Sequence, residues 1–170
     1  MPLSLYAWYS LNALESLGRR QARIAGEIEF ERLTRFRELV RSEHGSVRVG
    51  FGFGQQTAGY TTVRLEYDAS FELQCQRCLE PMEERVAREA SFVIVGGDSI
   101  PAGIPEDHEP VELSGDRFQP AGFVEDELIM SLPLIPRHAR LEQCGALVRS
   151  LEAPEDESDT DSTNILPARH

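Results

Sequence analysis

The sequence predicts an α+β fold: an antiparallel β-sheet with a long central hairpin, packed by two or three short helices and followed by a disordered acidic C-terminal tail. Three observations lead there. From Val63 to Cys75 apolar residues stand at strict two-residue spacing against polar ones, the pattern of a strand with one buried and one wet face. A second strand-like run, Glu84 to Val95, follows after only Cys-Gln-Arg-Cys-Leu-Glu-Pro and Met82-Glu83, so the two flank a hairpin. Three short stretches elsewhere carry helical rather than strand periodicity.

Taken in order, Ser10 caps a helix that ends at Gly18, with Leu11, Leu14 and Leu17 on one face. Arg23 to Ile28 alternates through Ile24, Gly26 and Ile28 and reads as a strand. From Glu31 to Val40 the residues Leu33, Phe36, Leu39 and Val40 follow a helical period, which His44-Gly45 ends. Val47, Val49, Phe51 and Phe53 give the next strand, up to a turn around Gln55 to Gly59, and the long hairpin follows. Gly96 to Gln119 is rich in Gly, Pro and acid, a loop with one short strand near Glu109 to Leu113. Phe123 to Leu132 is helical until Pro133, and its acids Glu125, Asp126 and Glu127 are expected in the first turn, where the helix dipole favours them.

Length and charge bound the function. The 170 residues form one domain over 1–150 and an acidic flexible tail over 151–170. The chain is 41% hydrophobic, enough for a core, yet no apolar run is long enough to span a membrane. No basic residue precedes the apolar N-terminal stretch, so no secretory signal is expected. Three cysteines suit a reducing cytoplasm better than a disulfide scaffold. The net charge is −12, and every basic residue is arginine. Residues 1–97 are nearly balanced, with 13 acids against 12 arginines, whereas the excess acid lies downstream of Asp98. Such a chain repels phosphate backbones at long range, while its arginine-rich half can still bind locally.

The sharpest chemical feature is Cys75-Gln76-Arg77-Cys78 at a strand end. Two thiolates so spaced converge on one metal ion or form a redox disulfide; alternatively Cys75 is simply core and Cys78 packs the turn. A zinc site needs two more ligands, and His138 and Cys144 are the economical suppliers. Catalysis has little support. Gly50, Gly52 and Gly54 lack the continuation of a phosphate loop and read as close strand packing, and neither a zinc-protease helix motif nor a serine-hydrolase motif occurs. The carboxylates Glu125, Asp126 and Glu127 can hold magnesium in principle, but a charged, dipole-favoured helix start is the preferred explanation. No enzyme is expected. Between Arg19 and Arg48 eight arginines meet five acids, a modest phosphate-contact surface in which Arg32, Arg35, Arg37, Arg41 and Arg48, with the outlying Arg77, are the candidate contacts to RNA or a partner. Phe51, Phe53 and Tyr60 can stack bases or fill the core. Salt-paired arginines on a solvent face are the competing explanation.

Two stretches together resemble one family. Leu73-Gln-Cys-Gln-Arg-Cys-Leu-Glu-Pro-Met82 resembles the cysteine motif of the YceD family, the large ribosomal RNA subunit accumulation proteins. Glu125-Asp-Glu-Leu-Ile-Met-Ser-Leu-Pro-Leu-Ile-Pro-Arg-His138, followed by Cys144, resembles its second block. Order and spacing hold over roughly residues 10 to 148. The resemblance implies a cytoplasmic, non-catalytic ribosome biogenesis factor that supports synthesis, processing or stability of large-subunit (23S) ribosomal RNA. Some relatives carry further cysteines after the second block, where this chain offers His138 and Cys144. The expected partners are precursor large-subunit ribosomal RNA or basic ribosomal and processing proteins, with neither membrane nor small-molecule substrate. An acidic protein-binding adaptor, or a thiol or zinc sensor linked only indirectly to that RNA, is the alternative.

Overall fold

The computed structural model describes residues 3–55, 60–95, 103–104, 106–113 and 117–145. The tail expected beyond residue 150 and most of the turn expected after Gln55 lie outside them. Among the described residues the elements run β1 (Tyr9–Ser10), α1 (Leu11–Arg19), β2 (Arg23–Glu29), a 3-10 turn (Phe30–Arg32), α2 (Thr34–Arg37), β3 (Ser46–Gln55), β4 (Thr61–Gln74), β5 (Pro81–Val95), β6 (Glu109–Glu112), β7 (Arg117–Phe118), α3 (Pro120–Ser131) and a 3-10 turn (Leu141–Gln143).

The alternation along β4 becomes the dry face of a sheet, and near the end of β5 the opposite face is covered too, where Val93 and Val95 are buried with Tyr60. β4 buries Val63, Leu65, Tyr67, Ala69, Phe71 and Leu73 while Arg64, Glu66, Ser70 and Glu72 face out, and the strand order is β2-β3-β4-β5-β6. The hairpin is as long as its sequence demands: β4 and β5 stay in register from Thr61↔Ile94 to Gln74↔Pro81. All pairings are antiparallel except the last. β6 runs parallel to β5, with Phe92 opposite Glu109, so the short strand expected near Glu109 is present but enters by a crossover, not by a hairpin. A second ribbon, which periodicity did not reveal, pairs Tyr9 with Phe118 and Ser10 with Arg117; two-residue strands are too short to show a period.

Helices cover the dry face. Ser10 caps α1 by accepting from the Ala13 N–H. Gly18 seats the helix against β3, where an added Cβ would lie 2.7 Å from the Gly54 carbonyl oxygen. Phe92 and Phe118 meet Phe123 of α3 at 4.7 and 5.4 Å between ring centroids. The helix expected over Glu31 to Val40 is not continuous. Leu33, at φ −103° and ψ 75°, separates a 3-10 turn from a single α-turn. Phe30 and Phe36 clamp Phe71 at 6.5 and 5.0 Å, the Arg41 N–H is drawn to the Glu72 carbonyl, and Leu39 is left 52% exposed. Packing of two aromatic anchors has overridden the helical period. Gly45 follows at φ 142°, where a Cβ would strike the Phe30 ring at 2.5 Å.

One further expectation is corrected. α3 starts at Pro120, not Phe123, because proline is pre-set for the first helical position. Glu125, Asp126 and Glu127 therefore sit beyond the first turn, where the dipole does little for them.

Candidate metal centre and arginine surface

β4 ends at Gln74 with Cys75 next on the core-facing side, fully buried. The chain then turns tightly: the Leu79 N–H donates to the Cys75 carbonyl at 2.9 Å, and the Cys75 N–H donates to the Glu80 carbonyl at 3.0 Å. Leu79 takes a left-handed conformation, φ 62°, to close this turn. The second segment arrives from α3. Pro133 follows the helix end, and the Pro136 carbonyl accepts from the Gln76 N–H at 2.8 Å, docking the two segments two residues before His138. A 3-10 turn closed by Arg140 N–H to Gln143 Oε1 at 2.9 Å then returns Cys144 to the interior.

The outcome is a four-donor cluster. One ligand atom from each of Cys75, Cys78, His138 and Cys144 lies within 4.8 Å of every other. Cys78 Sγ is 3.4 Å and Cys144 Sγ 3.7 Å from His138 Nδ1. Bond lengths of about 2.3 Å to sulfur and 2.0–2.1 Å to nitrogen put a tetrahedral sulfur–nitrogen edge near ~3.6 Å, between the two observed spacings. The three thiols are free. Burial pushes the Cys75 thiol up, but the backbone N–H groups of Cys78, His138 and Arg77, with the Cys78 thiol, outweigh it and bring it down to about 6. For Cys144, burial first and then the neighbouring Cys78 and Cys75 raise the thiol. A soft, mostly sulfur set with N–H groups aimed at one thiolate fits a metal such as zinc, and four protein donors fill a tetrahedron without an open position.

The arginines named from the sequence are divided among four places. Arg32, Arg35 and Arg37 line the exposed side of the turn from Phe30 to Arg37. Arg48 alternates with buried Val47 and Val49, so it stands on the open face of the sheet, where it and Arg85 share Asp68 at 2.7 and 3.0 Å. Arg77 lies in the cysteine turn. Arg41 lies between the first two groups and donates its backbone N–H to β4. Arg35 is engaged structurally: its guanidinium binds Glu125 Oε2 at 2.8 Å and Asp126 Oδ1 at 2.7 Å, while its backbone N–H and that of Phe36 donate to Glu125 Oε1 at 2.8 and 3.2 Å. These bonds correct the explanation of the acids as a dipole-favoured helix start; Glu125 caps a different helix.

A family model described as "Large ribosomal RNA subunit accumulation protein YceD" matches residues 63–167. The chain belongs to the YceD family. A curated relative from Haemophilus influenzae, "Large ribosomal RNA subunit accumulation protein YceD", is 28% identical over 122 residues, which covers 71% of this chain and 70% of the relative. No solved structure matches significantly. The YceD match contains all four donors and Arg77, whereas Arg32 to Arg48 precede it. Two features escaped the sequence reading. Glu125 meets Arg35 across 90 residues, for which no local signal exists. Tyr6 and Trp8 are exposed on an anchored segment; the signal was the chain's single tryptophan outside any apolar period.

Proposed function

We propose that this chain supports the accumulation of large-subunit ribosomal RNA as a non-catalytic binding factor in the cytoplasm, in contact with precursor RNA or a basic protein of an assembly intermediate. Membership of the YceD family carries this reading, and the relative's printed name states the same role for that protein. The convergence of both family-like blocks on one cluster supports a binding body held by a structural ion. Cys75, Cys78, His138 and Cys144 would hold zinc, which supplies cross-linking of two chain segments and, with no open position, no Lewis-acid chemistry. No helix among the described residues is long and apolar enough to cross a membrane.

The test is crosslinking in living cells followed by sequencing of the bound RNA, alongside depletion of the protein. Enrichment of large-subunit precursor, with a fall in mature large-subunit relative to small-subunit RNA on depletion, is expected. Ribosomal or processing proteins captured without RNA would replace the RNA contact with the protein one. Unchanged ribosomal RNA on depletion would overturn the reading.

A further inference from the structure

The segment before α1 is fixed in place, yet it displays two aromatic rings. Leu5 is buried and its carbonyl accepts from the Ala121 N–H at 2.9 Å; Gln119 Nε2 donates to the Tyr6 carbonyl at 3.3 Å; the Tyr9 hydroxyl closes on Ser4 at 2.8 and 2.9 Å. Between these anchors Tyr6 is 37% and Trp8 61% exposed. The Arg32 guanidinium lies over the Tyr6 ring, 4.6 Å from its centroid. Trp8 borders a groove of about 450 Å³ that also takes in Arg35, Arg117 and Glu112. These bonds fix the backbone that carries two rings still in water, so part of the ordering cost of a stacking surface is met before its ligand arrives.

We propose that Tyr6, Trp8 and Arg32 form a stacking platform for unpaired bases of single-stranded RNA. This rests on the reading above that the chain contacts RNA, and it adds the ligand's form and the residues that hold it. Tryptophan, tyrosine and guanidinium all offer planar faces to a base, and such stacking is tolerant of sequence. Arg32 and Arg117 are exposed cations beside the rings. A basic protein is the less suitable occupant: of the groove's carboxylates Glu125 and Asp126 are already taken up by Arg35, which leaves Glu112 alone to meet it. Because arginines and carboxylates nearly balance here, stacking dominates and the affinity falls only shallowly with salt.

Trp8 is the sole tryptophan, so the emission of the full chain reports this site alone. Titration with short single-stranded oligoadenylate is expected to quench that emission, whereas an RNA duplex leaves it unchanged. Trp8→Ala is expected to weaken oligoadenylate binding on the order of tenfold, Arg32→Ala less, and Trp8→Phe to restore most of it. Equal response to the duplex, no quenching by oligoadenylate, or unaltered affinity of a folded Trp8→Ala chain would each overturn the platform. Should Trp8→Ala fail to fold, the quenching of the natural chain and the Trp8→Phe affinity decide. The cellular crosslinking experiment is read separately. Precursor RNA recovered from a chain whose Trp8 ignores oligoadenylate removes the platform and leaves the wider function standing.

Discussion

Leu79 holds a conformation that side chains with a Cβ rarely adopt, φ 62°, and its side chain is 62% exposed, so it gains little from packing in return. The penalty for such a residue is about 1–2 kcal/mol, against about 0.5–1 kcal/mol for the extra freedom glycine loses on folding. Leu79→Gly is therefore expected to stabilise the chain by roughly 0.5–1 kcal/mol in denaturant unfolding, and Leu79→Ala, which keeps the Cβ, to give no such gain. Glu127 offers a test by pH. Burial first, then Glu109 and Asp126, raise its pKa, so the folded chain holds that proton to higher pH than the unfolded chain does. Its ionisation costs no stability below about pH 4, and the cost is complete above the raised folded pKa. Glu127→Gln should match the natural chain in acid and exceed its unfolding free energy at neutral pH; the same difference at both would refute the account. At this scale the sequence was most informative where chemistry restricts the choice. Cysteine and histidine have few roles, so their spacing identified a quartet, while exposed Trp8 belongs to no pattern.

The single α-turn of α2 shows why one element was legible and another was not. β4 alternates without exception over its length, and any reading of period two finds it. The turn from Thr34 to Arg37 depends instead on a carboxylate from α3, since its own N-cap, Leu33, supplies no side-chain bond. Glu125, 7% exposed, accepts from two backbone N–H groups at the start of α2 and neutralises the Arg35 guanidinium. Removing it leaves those donors without their partner, so Glu125→Ala is expected to cost about 2–3 kcal/mol by chemical denaturation. Glu125→Gln keeps one acceptor oxygen and should cost about 1 kcal/mol. Arg35→Ala should cost less than Glu125→Ala, because both backbone bonds survive it. A cap supplied across 90 residues leaves no trace in the local sequence, and the run from Glu31 to Val40 accordingly read as a longer helix. The parallel entry of β6 was hidden for a similar reason: strand direction belongs to the crossover, not to the four residues that pair.

At the scale of the molecule, the described helices bury Leu14, Leu17, Phe36, Val124 and Leu128 in one core with the dry face of the sheet, and the cysteine turn lies at the end of the β4–β5 hairpin, where the segment after α3 delivers the second half of the site. The sequence showed which residues share chemistry; that they meet depends on the Gln76–Pro136 bond and on α3 lying across Phe92, neither of which has a periodic signature. The path from Leu132 to Gly145 carries one short 3-10 turn and is bonded to the hairpin by Gln76 N–H to the Pro136 carbonyl, and a metal ion at the four donors would add a further tie between the two. Purified without added histidines, the chain is expected to carry one zinc per molecule, and Cys78→Ser to lose it. Trypsin turns that into a positional test, since every basic residue is arginine and exposed Arg137 and Arg140 flank His138. In the zinc-loaded chain the bonds after Arg137 and Arg140 should resist cleavage; a strong chelator should make them among the first to be cut, while the β4–β5 hairpin, paired by its own backbone bonds, stays intact. Identical fragments with and without chelator would mean that the four donors pack the junction without a metal.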